Sequence, residues 1–212
     1  MYSLETTANQ SVIGRALGKD WVKLHPVLRR HYGIVPGSDR ALLMVGIMSH
    51  IDHSPIAKLF LLPARIFNAL IPYRGTNIPA TVRNWTRRDD ARSMFWERRF
   101  QFPEGKQAIF ASRMVHLGGN EIIEYVRFGL GIRMRLSVDG DALVYRSNGY
   151  QWDIGRIRLR FPDWVALGTG EISETGLSDS GFEMNFTMRH PLFGRTFSYA
   201  GRFELTAPDR PG

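Results

Sequence analysis

The chain has 212 residues, of which 43% are hydrophobic, so it can bury a sizeable core as one domain or as a domain with a helical appendage. It contains no cysteine, which excludes disulfides, thiolate metal sites and a cysteine nucleophile. The formal net charge is +8, but the arginines are spread along the chain, with no basic run longer than a pair and no recognition helix. We therefore predict that the protein binds no nucleic acid.

The start of the chain indicates where the protein resides. Residues 1–10 are polar and include Glu5, whereas an export signal has a basic end and an apolar middle. Together with the absence of cysteine, this pattern predicts a cytoplasmic protein.

Residues 1–75 are predicted to form an N-terminal helical segment that packs on the following domain. Apolar residues recur there at helical spacing, and the alternation typical of strands is missing. The first of three expected helices carries a stripe of Trp21, Leu24 and Leu28. Its cap is Asp20, and Gly33 ends it.

Two further helices are expected in this segment, from about Asp39 to Ile51 and from Ile56 to Ile71. The third is the most apolar stretch of the chain, but Lys58 and Pro63 interrupt it, and a membrane span needs about 20 mainly apolar residues. Two interpretations stay open. This helix either packs on the mouth or flank of the sheet, or serves as a lid or a membrane-contacting helix.

From about Ile78 to Leu205 the hydrophobic period changes to two, which predicts strands. Apolar side chains share one face and charged side chains the other, as in antiparallel sheets with one face in water. Turn pairs such as Asp139-Gly140 and Asn148-Gly149 predict hairpins between the strands.

The predicted fold class is α+β. The N-terminal helices are followed, over residues 76–206, by a lipocalin-like antiparallel β-barrel or strongly curved sheet of about nine to ten strands. A helix-grip fold is the alternative, but the many hairpins and the lack of a long C-terminal helix disfavour it. Residues 207–212 are predicted to be a disordered tail.

Several short motifs occur in a defined order. A W-x-R-x-F strand at Trp96–Phe100 precedes the loop Phe161-Pro162-Asp163-Trp164, and Gly181-Phe182 opens the strand that leads to His190–Gly194. This order resembles the bacterial domain-of-unknown-function 4166 family over about Ile78 to Leu205, and Leu24–His31 is similar to the opening of that family. The resemblance implies a module found alone or fused behind oxidoreductases, and hence contact with an oxidoreductase partner. It implies no established activity.

Charged residues fall on the apolar face of three predicted strands. Arg98 is in phase with Trp96 and Phe100, and Glu124 is in phase with Ile122. Glu171, in phase with Leu167, is a second candidate countercharge for Arg98. A buried charge needs a partner. Three possibilities stay open. Arg98 forms a closed ion pair with one of these carboxylates, or one member faces a ligand, or a bulge reverses the faces of a strand so that the assigned phase is wrong.

The leading hypothesis is that the barrel cavity binds a hydrophobic or amphipathic small molecule with an acidic or polar group. Tyr199 is included in the predicted site because a buried hydroxyl needs a partner, and His116 because it lies near a strand end. The predicted ligand-binding residues are Trp96, Arg98, Phe100, His116, Glu124, Glu171 and Tyr199.

Two alternatives remain open. The first is a cofactor-independent isomerase, cyclase or lyase with Glu124, Arg98 and Glu171 as catalytic residues, since a buried carboxylate could act as general acid or base and an arginine could hold an enolate. The second is a membrane-surface or partner-docking module that uses Ile56–Ile71. The sequence leaves open whether any reaction is catalysed, and the oligomeric state.

No metal site or cofactor is predicted. His50 and His53 are three residues apart, but Ser54-Pro55 follows at once, which favours a capped helix end over a metal site. The glycine pairs at 129–131 and 168–170 precede strands, so no helix N-terminus is available to hold a phosphate.

Overall fold

The computed structural model describes residues 10–57 and 71–206. Two short α-helices come first, α1 (Val12–Leu17) and α2 (Pro26–Tyr32). The strands that follow are β1 (Ala41–His53), β2 (Gly75–Arg87), β3 (Asp90–Gln101), β4 (Gln107–Gly118), β5 (Glu121–Tyr125), β6 (Leu130–Asp139), β7 (Ala142–Ile154), β8 (Ile157–Phe161), β9 (Thr169–Gly176), β10 (Gly181–His190) and β11 (Gly194–Leu205).

Ten of the described strands close an antiparallel barrel. They follow the order β6-β5-β4-β3-β2-β1-β11-β10-β9-β7, and the ring closes because β7 pairs with both β9 and β6. β8 pairs with the second half of β7 and extends the sheet beyond the ring. The predicted α+β class, with N-terminal helices and a lipocalin-like antiparallel barrel, is confirmed.

The two helices cover one end of the barrel. α1 contacts β3 to β6 and α2 contacts β9 and β10, which lie on opposite sides of the ring. Ile13 and Leu17 of α1 and Leu28 of α2 are buried in the same core as the inward strand residues. The last residue of α2, Tyr32, is also buried, and its side chain reaches the inside of the barrel.

The second predicted helix is wrong, because residues 41–53 form β1. This strand pairs with β2 on one side and β11 on the other, so the barrel extends into the segment 1–75 that we assigned to helices. Period-two alternation was hidden because both faces of β1 are apolar: Met44 and Met48 are buried, whereas Val45 and Ile47 are 41% and 55% exposed.

The first predicted helix begins later than expected. α2 starts at Pro26, and the Nδ1 of His25 accepts a hydrogen bond from the backbone N–H of Val27 at 3.3 Å. A proline disfavours the helical conformation in the residue before it and suits the first helical position. The predicted cap, Asp20, does not cap this helix but lies in a separate 3-10 helix, Gly18–Lys23. The predicted end of the helix at Gly33 is confirmed.

Some predictions concern residues that the structure does not describe. The third predicted helix, Ile56–Ile71, lies outside the described residues except at its ends, as do residues 1–9 and the predicted tail at 207–212. In the part of the chain that is described, no helix has the length and apolar character that crossing a bilayer requires.

Candidate functional site

The barrel encloses a cavity of about 350 Å³. Most of its wall consists of apolar side chains. Several polar side chains cluster beside the end of α2, namely Tyr32, Arg98, Glu124, Tyr145, Glu174 and Tyr199, whereas Ser147 and Tyr150 line the cavity outside this cluster. Representative apolar residues are Phe100, Met114, Ile132, Ile172, Met184 and Phe186. An apolar wall with a few polar groups is the usual composition of a small-molecule site.

An ion pair forms one part of the polar wall. Arg98 of β3 and Glu124 of β5 are separated by β4, and the inward Ser112 of β4 lies between them. The Nη1 of Arg98 donates to Oε1 of Glu124 at 2.9 Å, and the Ser112 hydroxyl donates to the same oxygen at 2.5 Å. The pair exists because alternate residues of adjacent antiparallel strands point to the same face.

The surroundings of this ion pair hold the guanidinium in place. The Arg98 guanidinium carbon lies 5.0 Å from the Trp96 ring centre and 5.2 Å from that of Phe110, at the distance of cation–π contacts. The side chains of Arg98 and Glu124 are only 20% and 10% exposed. Of the arrangements left open by the sequence, the structure has the closed pair, and both members still line the cavity.

Glu174 of β9 forms a second polar point. Its side chain is buried, and its Oε2 accepts a hydrogen bond of 2.7 Å from the Tyr32 hydroxyl. Burial raises the pKa of Glu174 from 4.5 to about 7, opposed by the Tyr32 hydrogen bond and by the charge of Arg98. The cavity therefore holds two carboxyl groups in unlike surroundings, one paired with a guanidinium and one bonded to a neutral hydroxyl.

Three further tyrosines line the cavity: Tyr145, Tyr150 and Tyr199. Tyr145 of β7 is 3% exposed, its hydroxyl oxygen is buried, and its ring centre lies 6.3 Å from that of Tyr32. Tyr199 of β11 packs on Phe186 and Phe197. Burial raises the pKa of Tyr199 to about 12 and that of Tyr145 well above 10.0, so both hydroxyls keep their protons at neutral pH.

The structure places four of the predicted residues at the cavity: Arg98, Phe100, Glu124 and Tyr199. Trp96 is buried on the same face of β3 but lies behind Arg98, outside the cavity wall.

The predicted inward position of Glu171 is wrong. Its side chain is exposed and accepts a hydrogen bond of 2.8 Å from Nε of Arg146. The prediction assumed that inward and outward side chains alternate without interruption from Leu167 to Glu171. Gly168, with a φ of 94°, interrupts this alternation before β9 begins. Ile172 and Glu174 are the side chains of β9 that reach the cavity.

His116 does not reach the cavity. It lies near the end of β4, where its Nε2 is hydrogen-bonded to the Gly119 carbonyl oxygen at 2.8 Å. The strand places it in phase with Ser112 and Met114, as predicted, but it is not among the residues that line the cavity.

Sequence reasoning missed Tyr32, Tyr145 and Glu174. A signal existed for two of them, because Glu174 alternates with Ile172, and Tyr145 alternates with the apolar Leu143. Tyr32 was assigned to a helix that covers the sheet, and nothing in its sequence context shows that the helix end enters the barrel.

Within residues 10–57 and 71–206, no three histidine or acidic side chains come together as a set that could hold a metal ion. His50 and His53 lie on β1 rather than at a helix end.

The strand pairings and the mainly apolar cavity define an antiparallel β-barrel of the lipocalin-like class. The chain belongs to the family described as domain of unknown function DUF4166, whose model matches residues 24–203. The resemblance seen in the sequence is confirmed. A search of curated proteins gives no match.

Two solved structures are similar to the chain. One is the S-type phycobiliprotein lyase CPES from Guillardia theta, with 8% identity and a TM-score of 0.33 over 83% of this chain and 90% of that one. The other is the dehydratase domain of the polyketide PpsC from Mycobacterium tuberculosis, with 8% identity and a TM-score of 0.19 over 97% and 90%. At these TM-scores neither similarity bears on function, and the barrel assignment rests on the strand pairings.

Proposed function

We propose that the protein binds a hydrophobic or amphipathic small molecule, with its apolar part against the barrel wall and its polar part at the end near α2. The observation that supports this most directly is the cavity of about 350 Å³, which has a mainly apolar wall and a cluster of polar groups beside Tyr32, the last residue of α2. Small-molecule pockets commonly begin at about 300 Å³ and use few polar groups to orient the ligand.

A scaffold without a ligand would be expected to fill this space with side chains, because protein interiors are close-packed. The barrel instead leaves Met184 and Ile172 only partly buried on its inner face. Covering this apolar cavity surface with a ligand is favourable, by about 25 cal/mol for each Å² removed from water.

Binding of Nile red, a neutral apolar dye, tests this proposal. We expect its fluorescence to rise on addition of the native protein. A Met184→Trp substitution should weaken binding at least about tenfold, because an indole at this position occupies the cavity. The matched control is Asn185→Trp, whose side chain points away from the barrel interior. Equal binding by both variants would contradict the proposal.

A second candidate is cofactor-independent acid/base chemistry in the same cavity. It is favoured by Glu174, whose pKa of about 7 would let it exchange a proton with a ligand near neutral pH. In this version Arg98 and Glu124 position the substrate.

Deuterium exchange separates this candidate from simple binding. A molecule that co-purifies with the protein should acquire deuterium at carbon in deuterated water if the cavity abstracts its protons, and should lose that exchange in Glu174→Gln. Retention of an unlabelled molecule would favour the binding protein. The oxidoreductase partner and the docking role of Ile56–Ile71 stay predictions.

A further inference from the structure

The second half of β7 and the whole of β8 form a hairpin, Tyr150–Phe161, at the end of the barrel that the helices leave open. We propose that this rim hairpin docks on an anionic lipid membrane, so that the cavity lies next to the bilayer surface. The inference goes beyond the proposed ligand binding and concerns a different segment from Ile56–Ile71. It can fail while ligand binding holds.

The position of the rim hairpin follows from the course of β7. Just before this strand, the Asp141 carbonyl oxygen accepts a hydrogen bond of 3.0 Å from the backbone N–H of His25, at the helix-covered end of the barrel. The last residues of β7 lie at the other end, where they pair with β8. Tyr150 and Phe161, which face each other across the two strands, both line the cavity. The rim hairpin therefore continues the barrel wall outward from the cavity.

One face of the rim hairpin is apolar and exposed to solvent. Side chains alternate along a strand, so the face that lines the cavity at one end of the hairpin continues toward its tip through the cross-strand pairs Trp152–Leu159 and Ile154–Ile157. The exposed fraction is 42% for Leu159, 45% for Ile154 and 62% for Ile157. A contiguous exposed apolar surface of this kind marks an interaction site.

Two loops at the same end of the barrel add exposed apolar side chains. The loop after β8 contains Trp164, which is 62% exposed, and the turn between β10 and β11 contains Leu192, which is 81% exposed. The loops are in contact, because Nε2 of His190 is hydrogen-bonded to the Trp164 carbonyl oxygen at 2.8 Å. Val165 of the first loop also lines the cavity. Exposed apolar groups thus lie beside the cavity, and tryptophan is a residue type enriched at membrane–water interfaces.

The charge of the rim hairpin matches an anionic surface. Residues 152–160 include three arginines, Arg156, Arg158 and Arg160, and a single acidic residue, Asp153. Asp153 is paired with Nε of Arg158 at 2.9 Å, while the side chains of the other two arginines are exposed. An arginine near an anionic bilayer is attracted to it, and its long stem lets the guanidinium stay among the headgroups while apolar neighbours insert.

The same arginines disfavour a second copy of this chain as the occupant of this surface. β8 is the last strand in the order of the described sheet, so another strand could in principle be added along it. A second β8 placed antiparallel there would bring Arg158 and Arg160 of the two copies onto neighbouring positions of one face, and like charges in that arrangement are destabilising. A membrane supplies both the opposite charge and an apolar layer.

Sedimentation with lipid vesicles tests this inference. We expect the native protein to bind vesicles of phosphatidylcholine with about 30% phosphatidylserine at least about tenfold more tightly than vesicles of phosphatidylcholine alone. Ile157→Glu should weaken binding to the anionic vesicles at least about tenfold, because it places a carboxylate in the apolar face. The matched control is Val22→Glu, the same change of charge at a 69% exposed side chain at the helix-covered end. Its binding should equal that of the native protein.

The comparison of the two vesicle types on the native protein needs no variant. Equal binding to both types, or equal binding of Ile157→Glu and Val22→Glu to the anionic vesicles, would overturn the inference. A native dimer that Ile157→Glu dissociates would also overturn it. Nile red fluorescence without vesicles tests the proposed function separately. Dye binding without vesicle binding would overturn the membrane docking alone, and vesicle binding without dye binding would overturn the ligand binding alone.

Discussion

Arg98 and Glu124 form an ion pair inside the barrel, with Nη1 and Oε1 2.9 Å apart, although β3 and β5 are not neighbours in the sheet. The strand between them contributes Ser112, which donates to the same carboxylate oxygen. The charges thus meet because the registers of β3, β4 and β5 bring three inward side chains together.

Removing one member of this pair should destabilise the fold. We expect Glu124→Gln to lower the free energy of unfolding by about 3 kcal/mol, because it leaves the Arg98 guanidinium buried without its countercharge. The double variant Arg98→Met with Glu124→Leu should recover to within about 1 kcal/mol of the native protein, since both charges are then absent. Urea denaturation of the native protein and both variants measures the effect. A double variant with a lower free energy of unfolding than Glu124→Gln would contradict this explanation.

Glu174 should make stability fall as the pH rises. The pKa of its carboxyl is about 7 in the folded chain and 4.5 as the reference value for the unfolded chain. Between these values the unfolded chain has released a proton that the folded chain retains, so the free energy of unfolding decreases by about 3 kcal/mol across the window.

Comparison with Glu174→Gln isolates this contribution. The difference in the free energy of unfolding between the native protein and Glu174→Gln, measured in urea from about pH 4 to about pH 8, should decline toward high pH. A difference that stays constant with pH would show that Glu174 ionises alike in both states.

His31 should make stability fall as the pH decreases, which is opposite to the effect of Glu174. Burial, together with the charge of Arg98, lowers its pKa from 6.5 to about 3. Below pH 6.5 the unfolded chain binds a proton that the folded chain does not, so stability is lost as the pH falls from about 6.5 toward about 3, by up to about 5 kcal/mol.

A His31→Gln variant should lose this acid sensitivity. Chemical denaturation at about pH 4 and about pH 7 should show a smaller difference between the two conditions for the variant than for the native protein. Because the ring of His31 packs against Trp96 and Phe182, the variant will also have a lower free energy of unfolding at all pH values. A pH slope equal to that of the native protein would count against the buried neutral imidazole.

Gly46 should be required for the pairing of β1 with β11. A Cβ at this position would overlap the Arg202 carbonyl oxygen and the Phe203 ring. We expect Gly46→Ala to lower the free energy of unfolding by about 2 kcal/mol, whereas Val45→Ala on the exposed face of the same strand should cost less than about 1 kcal/mol. Thermal melting of both variants gives the comparison, and equal losses would mean that the close approach is relieved by small shifts.

The sequence predicted the barrel but not all of its strands. Alternation was clear in β3, β6, β10 and β11, where one face is apolar and the other charged. It was obscured in β1, where both faces are apolar, and only pairing with β2 and β11 makes that segment a strand.

Only part of the candidate site was predicted from the sequence. Arg98 and Glu124 were found because a charge interrupts an apolar face, which is visible in the sequence. Glu174 was missed in favour of Glu171 because the positive φ of Gly168 resets the alternation, and a single residue out of phase exchanges the inner and outer faces of a strand. Tyr32 depends on how α2 enters the barrel, which is a tertiary relationship.

The central claim is that the cavity holds a small molecule, and native mass spectrometry of the protein purified from its own host tests it most directly. The account predicts a retained, non-covalent mass on the native protein and on Asn185→Trp, and its loss from Met184→Trp. The mass of the bare chain for the native protein, or an equal adduct on Met184→Trp, would contradict it.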